Sequence, residues 1–171
     1  MEITKKQKRE LAIATKFIEL YNEESSNRLK YIRLGTPAEK EPDIICSERY
    51  SMEITSTYDN DSQSKSYWED MNGINNPYQQ KDIKLTPEEK LVQAIGSKLT
   101  KLENGLYSGV DQTKIFLICY AESPLFEAYE ATKLKSQYLP FRDDHFFSNY
   151  FFETWLMWWQ GGDTYGILKL E

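Results

Sequence analysis

Apolar residues recur along this chain with two periods, and the alternation between them predicts an order of elements. Residues 2–24 read as an amphipathic helix. Leu11, Ala14, Phe17, Ile18 and Tyr21 recur at helical spacing, and Lys5, Lys8, Arg9 and Lys16 fall mostly on the other side. A polar stretch at 22–27 ends it. Three short strands follow, at 28–34, 43–47 and 50–58, with Gly35-Thr36-Pro37 closing the first and Ser47-Glu48-Arg49 short enough to be a hairpin loop. Residues 59–85 are polar, carry turn signals at Asn72-Gly73 and Asn75-Asn76-Pro77, and leave room for a short helix near 64–71.

Thr86-Pro87-Glu88-Glu89 is a helix start, with an N-cap residue, proline at the first position and acid at the third. Leu91, Ile95, Leu99, Leu102 and Leu106 continue its apolar stripe, and Asn104-Gly105 and Ser108-Gly109 supply the stop. Residues 114–121 form a nearly continuous apolar run, the pattern of a central strand covered on both faces. Ser123-Pro124 caps a further helix running to about residue 138. After Pro140 come an aromatic run at 146–159, a turn at Gly161-Gly162 and a final strand at 165–170. The expectation is one α/β domain over 1–171, a mixed central sheet flanked by helices.

Bulk properties narrow the class. An apolar fraction of 40% and a charged fraction of 28% are ordinary for a globular chain, and 14% aromatics promise a large core. No apolar run approaches the ~20 residues of a membrane span, and the charged start is no signal peptide, so no membrane partner is expected. Cys46 and Cys119 both sit inside apolar runs and read as buried reduced thiols, which points to the cytoplasm. The net charge of −6 argues against general nucleic-acid binding. It is uneven, however: residues 1–40 hold nine Lys and Arg against six Asp and Glu, and the remainder twelve against twenty-one.

The chemistry-bearing residues cluster around the hairpin. A hairpin centred on Glu48 sets Asp43 opposite Glu53, where Cβ atoms lie ~4.5–5.5 Å apart. Two carboxylates so placed repel unless a cation separates them, and hard oxygen ligands suit Mg²⁺ or Mn²⁺. Thr55 points to the same face as Glu53. Lys98 lies at the margin of the stripe Leu91, Ile95, Leu102, from which a lysine snorkels to water or leans over the sheet toward Glu53. Glu10 lies at the edge of the first helix's apolar face. A surface acid pair on an edge hairpin, a solvated Lys98 and an exposed Glu10 are the plainer alternatives.

Pro42-Asp43, nine residues, then Glu53-Ile54-Thr55 resembles the PD-(D/E)xK signature of the restriction-endonuclease-like superfamily. The element order over residues 2–121 is similar to that superfamily's αβββαβ core, here with an extra C-terminal helix and strands. The resemblance implies a metal-dependent nuclease acting on nucleic acid, DNA ahead of RNA. It implies that Asp43, Glu53 and the Ile54 carbonyl bind the divalent metal, and that Glu10 matches the first-helix acid some members add. Thr55 stands where the signature lysine belongs. Some members recruit a lysine from the following helix, and Lys98 is placed for that.

Two other function classes stay open. One is a catalytically inactive protein of the same fold acting as a binding or regulatory module, which Thr55 and the acidic charge favour. The other is a homodimer formed through the aromatic C-terminal region, whose tract 151–159 holds three tryptophans that otherwise belong to the core. Asp143-Asp144-His145 is a weak metal motif, read as a loop. Glycine-rich phosphate loops and Cys/His zinc spacings do not occur in the sequence.

Overall fold

The computed structural model describes residues 3–56, 87–122, 126–144 and 147–171. The turn signals and short helix expected within 59–85, the N-cap at Thr86, the Ser123-Pro124 cap and His145 lie outside the described residues. Three helices occur among them: α1 (Lys5–Glu24), α2 (Pro87–Glu103) and α3 (Ala128–Asp144). One sheet holds six strands in the order β1 (Tyr31–Leu34), β2 (Ile44–Cys46), β3 (Ser51–Ser56), β4 (Ile115–Ala121), β5 (Glu153–Gly161) and β6 (Thr164–Lys169). The sheet is mixed: β3, β4 and β5 run parallel, while β1–β2, β2–β3 and β5–β6 are antiparallel. The expected mixed sheet flanked by helices is what forms. Among the described residues no helix is long and apolar enough to cross a membrane.

The alternation along β4 shows how the layers are built. Phe116 and Ile118 join α1's Ile13, Ala14, Phe17 and Tyr21 in one core. Ile115, Leu117, Cys119 and Ala121 join α2's Leu91, Ile95, Leu99 and Leu102 and α3's Ala131, Leu134 and Tyr138 in the other. A strand buried on both sides reads as a continuous apolar run, as the segment IFLICYA does. The neighbouring β3 obeys the same geometry with a different composition. Met52 and Ile54 enter the α1 core, while Ser51, Glu53 and Thr55 occupy the alternate positions, all buried. Polar side chains inside a covered sheet face need partners.

Several element boundaries differ from expectation for local reasons. α1 starts at Lys5 because Thr4 and Gln7 close a capping box, Thr4 Oγ1 accepting from the Gln7 N–H. β1 is only four residues, with a register irregularity between Tyr31 and Arg33. Asp43 lies one residue before β2, not within it. α2 stops at Glu103, so Leu106 is exposed and does not extend the stripe. α3 does not end near Tyr138: it runs through Pro140 to Asp144, which makes Asp143 and Asp144 its last residues and not loop. An interior proline costs a helix ~3 kcal/mol. Contacts beyond it offset that, since Phe141 packs over Gly96 of α2 and Arg142 pairs with Glu171 at 2.7 Å. Of the aromatic tract, Phe151, Trp155 and Trp158 are buried, leaving Phe152 and Trp159 on the surface.

Gly35 fixes the approach to β2. Its N–H donates to the Asp43 carbonyl at 2.8 Å, and a Cβ there would fall 1.6 Å from the Pro42 carbonyl oxygen. We expect Gly35→Ala to push the Pro42-Asp43 segment away and to lower stability by about 1–3 kcal/mol, the usual penalty for overfilling a packed contact. Urea unfolding measures it, and a variant as stable as the wild type would contradict the contact.

Candidate active site

The end of the β2–β3 ladder is where the site begins. Ile44 pairs with Met52 and Ile45 with Ser51, so the same register, carried on, sets Asp43 opposite Glu53 and Pro42 opposite Ile54. Proline has no N–H to give the Ile54 carbonyl. Asp43 supplies the other half of the missing exchange: its Oδ2 accepts the Ile54 N–H at 2.9 Å. The N–H and C=O of a strand residue point to the same side, so the Ile54 carbonyl also faces Asp43. The proline-aspartate step therefore ends the ladder and turns a carboxylate and a carbonyl toward one place.

Lys98 reaches the same place from α2. Its Nζ donates to Glu53 Oε1 at 2.7 Å, with both side chains about nine-tenths buried. The wheel position at the margin of the apolar stripe is what permits this: Leu91, Ile95, Leu99 and Leu102 clamp α2 on the sheet, and the lysine stem follows them down to the polar positions of β3. Lys101, one turn on, is exposed. Thr55 is buried on the same β3 face as Glu53.

Glu10 approaches from α1. It is one of five residues of that helix to be buried, in line with Ala14, Phe17 and Tyr21, and so is not the solvated carboxylate its composition alone would suggest. Lys6, one turn earlier, pairs with it at 3.4 Å.

Electrostatics tie these groups into one neighbourhood. Burial, then repulsion from Glu53 and Glu10, pushes the Asp43 carboxyl up to about 7, against the Ile54 N–H bond and the Lys98 charge. Glu10 is raised as well, chiefly by burial, with Lys6 opposing and Glu53 adding repulsion. The Lys6 amine is raised despite its own partial burial, because Glu10 and Asp43 both favour its charge. Glu53 is thus paired with Lys98 and Glu10 with Lys6, and the Asp43 carboxyl feels both acids. Acids raised by burial and mutual repulsion occur at functional sites and in structural ion-pair networks alike.

The donor set suits a hard cation. Among the described residues no three His, Cys, Asp or Glu side chains converge as a metal-holding group by themselves. Two carboxylates and a carbonyl, completed by water, are nevertheless the pattern Mg²⁺ uses, since it keeps much of its hydration. The carboxylate repulsion at Asp43 is what a cation would relieve. Asp143 and Asp144 are exposed at the end of α3.

Two cations near the centre had weak sequence signals. The sequence marks Lys6 only through its i,i+4 spacing from Glu10. Arg9 was singled out as one of several basic residues, but its partners, Ser56 Oγ at 2.9 Å and Glu122, come from distant chain segments that no local pattern reveals. Compared with known proteins, the chain matches no family model, no curated protein and no solved structure.

The raised Asp43 carboxyl makes stability pH-dependent. Between the ordinary carboxyl value of ~4 and about 7, the folded protein keeps a proton that the unfolded chain has released. Stability therefore falls as pH rises through that window. Asp43→Asn keeps an acceptor for Ile54 and removes the loss. Its melting temperature, measured in EDTA, should approach that of the wild type at the acid end of the window and exceed it above neutrality. A variant less stable than the wild type in mild alkali would show that Asp43 is not crowded.

Proposed function

We propose that this protein is a metal-dependent phosphodiesterase acting on nucleic acid, DNA ahead of RNA, built on a restriction-endonuclease-like αβββαβ core. The observation that carries the reading is the Lys98–Glu53 contact. It supplies an amine from the second helix at the acid centre, where the β3 strand itself offers only Thr55. The element order agrees: α1 and α2 cover opposite faces of the sheet, and β4 lies parallel to β3.

In this reading Asp43 and Glu53, with the Ile54 carbonyl beside them, would hold a divalent cation. Such an ion, when bound, supplies a water of lowered pKa and neutralises charge on the scissile phosphate. The protein's own groups do the rest. Lys98 has three N–H donors, so it can keep Glu53 while directing another toward the attacking water or a phosphoryl oxygen. Asp43 is fixed by the Ile54 N–H, which prevents its carboxylate from rotating away. Glu10 would add a third acid near the centre.

Mg²⁺- or Mn²⁺-dependent cleavage of labelled DNA and RNA tests this. Glu53→Ala should abolish turnover. Lys98→Ala should lower kcat by about 10²–10³-fold, the effect of removing one preorganised donor to developing charge. Cleavage that persists unchanged in Glu53→Ala would sink the reading.

A second reading is favoured by the same ion pair taken as structure: a non-catalytic binding module in which Lys98 serves only to neutralise Glu53. Breaking a buried pair by removing one partner costs about 3–5 kcal/mol, whereas replacing both with apolar groups is often neutral. Lys98→Met should therefore destabilise strongly, and Lys98→Met with Glu53→Leu should recover most of the loss in a urea melt. A stable double variant of a protein that never cleaved nucleic acid would favour the second reading.

A further inference from the structure

The first two turns of α1 lie over the C-terminal ends of β3 and β4. Tyr21, at the other end of the helix, packs on Phe116 and Trp155 near the starts of β4 and β5, so α1 runs opposite to the parallel strands. Two cations, Lys6 and Arg9, stand on those first turns close to Glu10. Lys6 is paired with Glu10 at 3.4 Å. Arg9 leans to the β4 side. Its Nη2 donates to Ser56 Oγ, the last residue of β3, at 2.9 Å, and it pairs with Glu122, which directly follows β4. Ser56 and Tyr120 are paired in the parallel ladder, so Arg9 spans two neighbouring strand ends.

The Arg9–Glu122 pair differs from Lys98–Glu53 in one decisive way. Its arginine side chain is 45% exposed and its glutamate 22%, against about a tenth or less for both members of the buried pair. An ion pair open to water contributes little to holding a fold and exchanges partners readily. A guanidinium is a planar fork that fits a phosphate as well as a carboxylate, so a phosphate arriving at these strand ends can take the place of Glu122 without leaving Arg9 unpaired.

We propose that Arg9 receives a substrate phosphate beside the acid centre, and that Glu122 holds its guanidinium in position until that phosphate displaces the carboxylate. This rests on the phosphodiesterase reading. Glu122 then has two effects: it presets the Arg9 fork toward the strand ends, and it competes with weakly bound anions, so that only a polyanion contacting several cations at once displaces it. Lys6, one turn earlier on the same helix, is the second cation such a strand would meet.

Binding of a short fluorescent DNA duplex, and of RNA of the same sequence, tests this in calcium over a range of salt. Arg9→Ala should weaken binding about tenfold, the loss of one charge-assisted contact. It should also lower the slope of log affinity against log salt by about one. Arg9→Lys should bind more weakly than wild type at an unchanged melting temperature, which separates recognition from folding. Glu122→Gln should bind several-fold more tightly, and Arg9→Ala with Glu122→Gln should bind no more tightly than Arg9→Ala alone. If the gain from Glu122→Gln persists without Arg9, the carboxylate acts only through bulk charge and the proposal is overturned. Cleavage by a wild type whose affinity is indifferent to Arg9 overturns the displaceable pair and leaves the phosphodiesterase reading intact. A wild type that neither binds nor cleaves either nucleic acid removes both.

Discussion

A single buried contact, Lys98 Nζ on Glu53 Oε1 at 2.7 Å, joins the second helix to the polar face of β3. Neither group is tolerable alone at that depth, because an isolated charge in a protein interior costs far more than any one side chain returns. The pair therefore constrains both elements. α2 must present its lysine at the sheet, which its apolar stripe accomplishes, and β3 must keep its acid under the helix, which its register against β4 accomplishes. An apolar pair would satisfy the fold at least as well. That a polar one occupies the place is what turns attention from stability to chemistry.

The same logic extends outward to Asp43 and Glu10. Each is raised by burial and by the other carboxylates, so each makes the folded state less favourable near neutrality than an amide would. Proteins tolerate such costs at functional sites and offset them elsewhere. Here two aromatic and aliphatic cores, one on each face of the sheet, provide the offset. The α1 core is dense in edge-to-face ring contacts: Phe17, Tyr21, Phe116 and Trp155 all meet one another at 5.3–6.2 Å or through a shared neighbour. Those rings occupy the half of α1 remote from Glu10, leaving the first turns free to carry charge.

Much of this was legible before any coordinates, and the exceptions have physical causes. The apolar run of β4 reads as a strand covered on both faces, and the spacing of Leu91, Ile95, Leu99 and Leu102 as a buried helix stripe. The register of Ile44 on Met52 and Ile45 on Ser51, which points Asp43 toward Glu53 when carried on, was readable from a short hairpin, because strand period and loop length fix register together. Lys98 was legible as a position, not as a contact: a lysine at a stripe margin snorkels or dives, and only the depth of α2 on the sheet decides. Pro140 misled because its cost is local and its compensation, Phe141 on Gly96 and Arg142 on Glu171, is tertiary. Glu122 carried no signal at all, since its partner lies more than a hundred residues earlier in the chain.

The proline-aspartate step shows why so short a motif carries structural weight. A strand that simply ended would leave the Ile54 N–H and carbonyl to solvent, with no reason for an acid to stand there. Proline at 42 withholds the donor that would occupy the carbonyl, and the aspartate that follows takes the N–H with a side chain instead of a backbone oxygen. Gly35 then holds the whole step against β1, because only a residue without a Cβ lets the Pro42 carbonyl approach so closely. Three residues of unlike chemistry thus produce one outcome: a carboxylate fixed on the Ile54 backbone at the end of a ladder. The partner acid arrives from the opposing strand by register alone, and the amine from the helix by packing alone, so the centre needs no long-range design beyond the fold that already brings β2, β3 and α2 together.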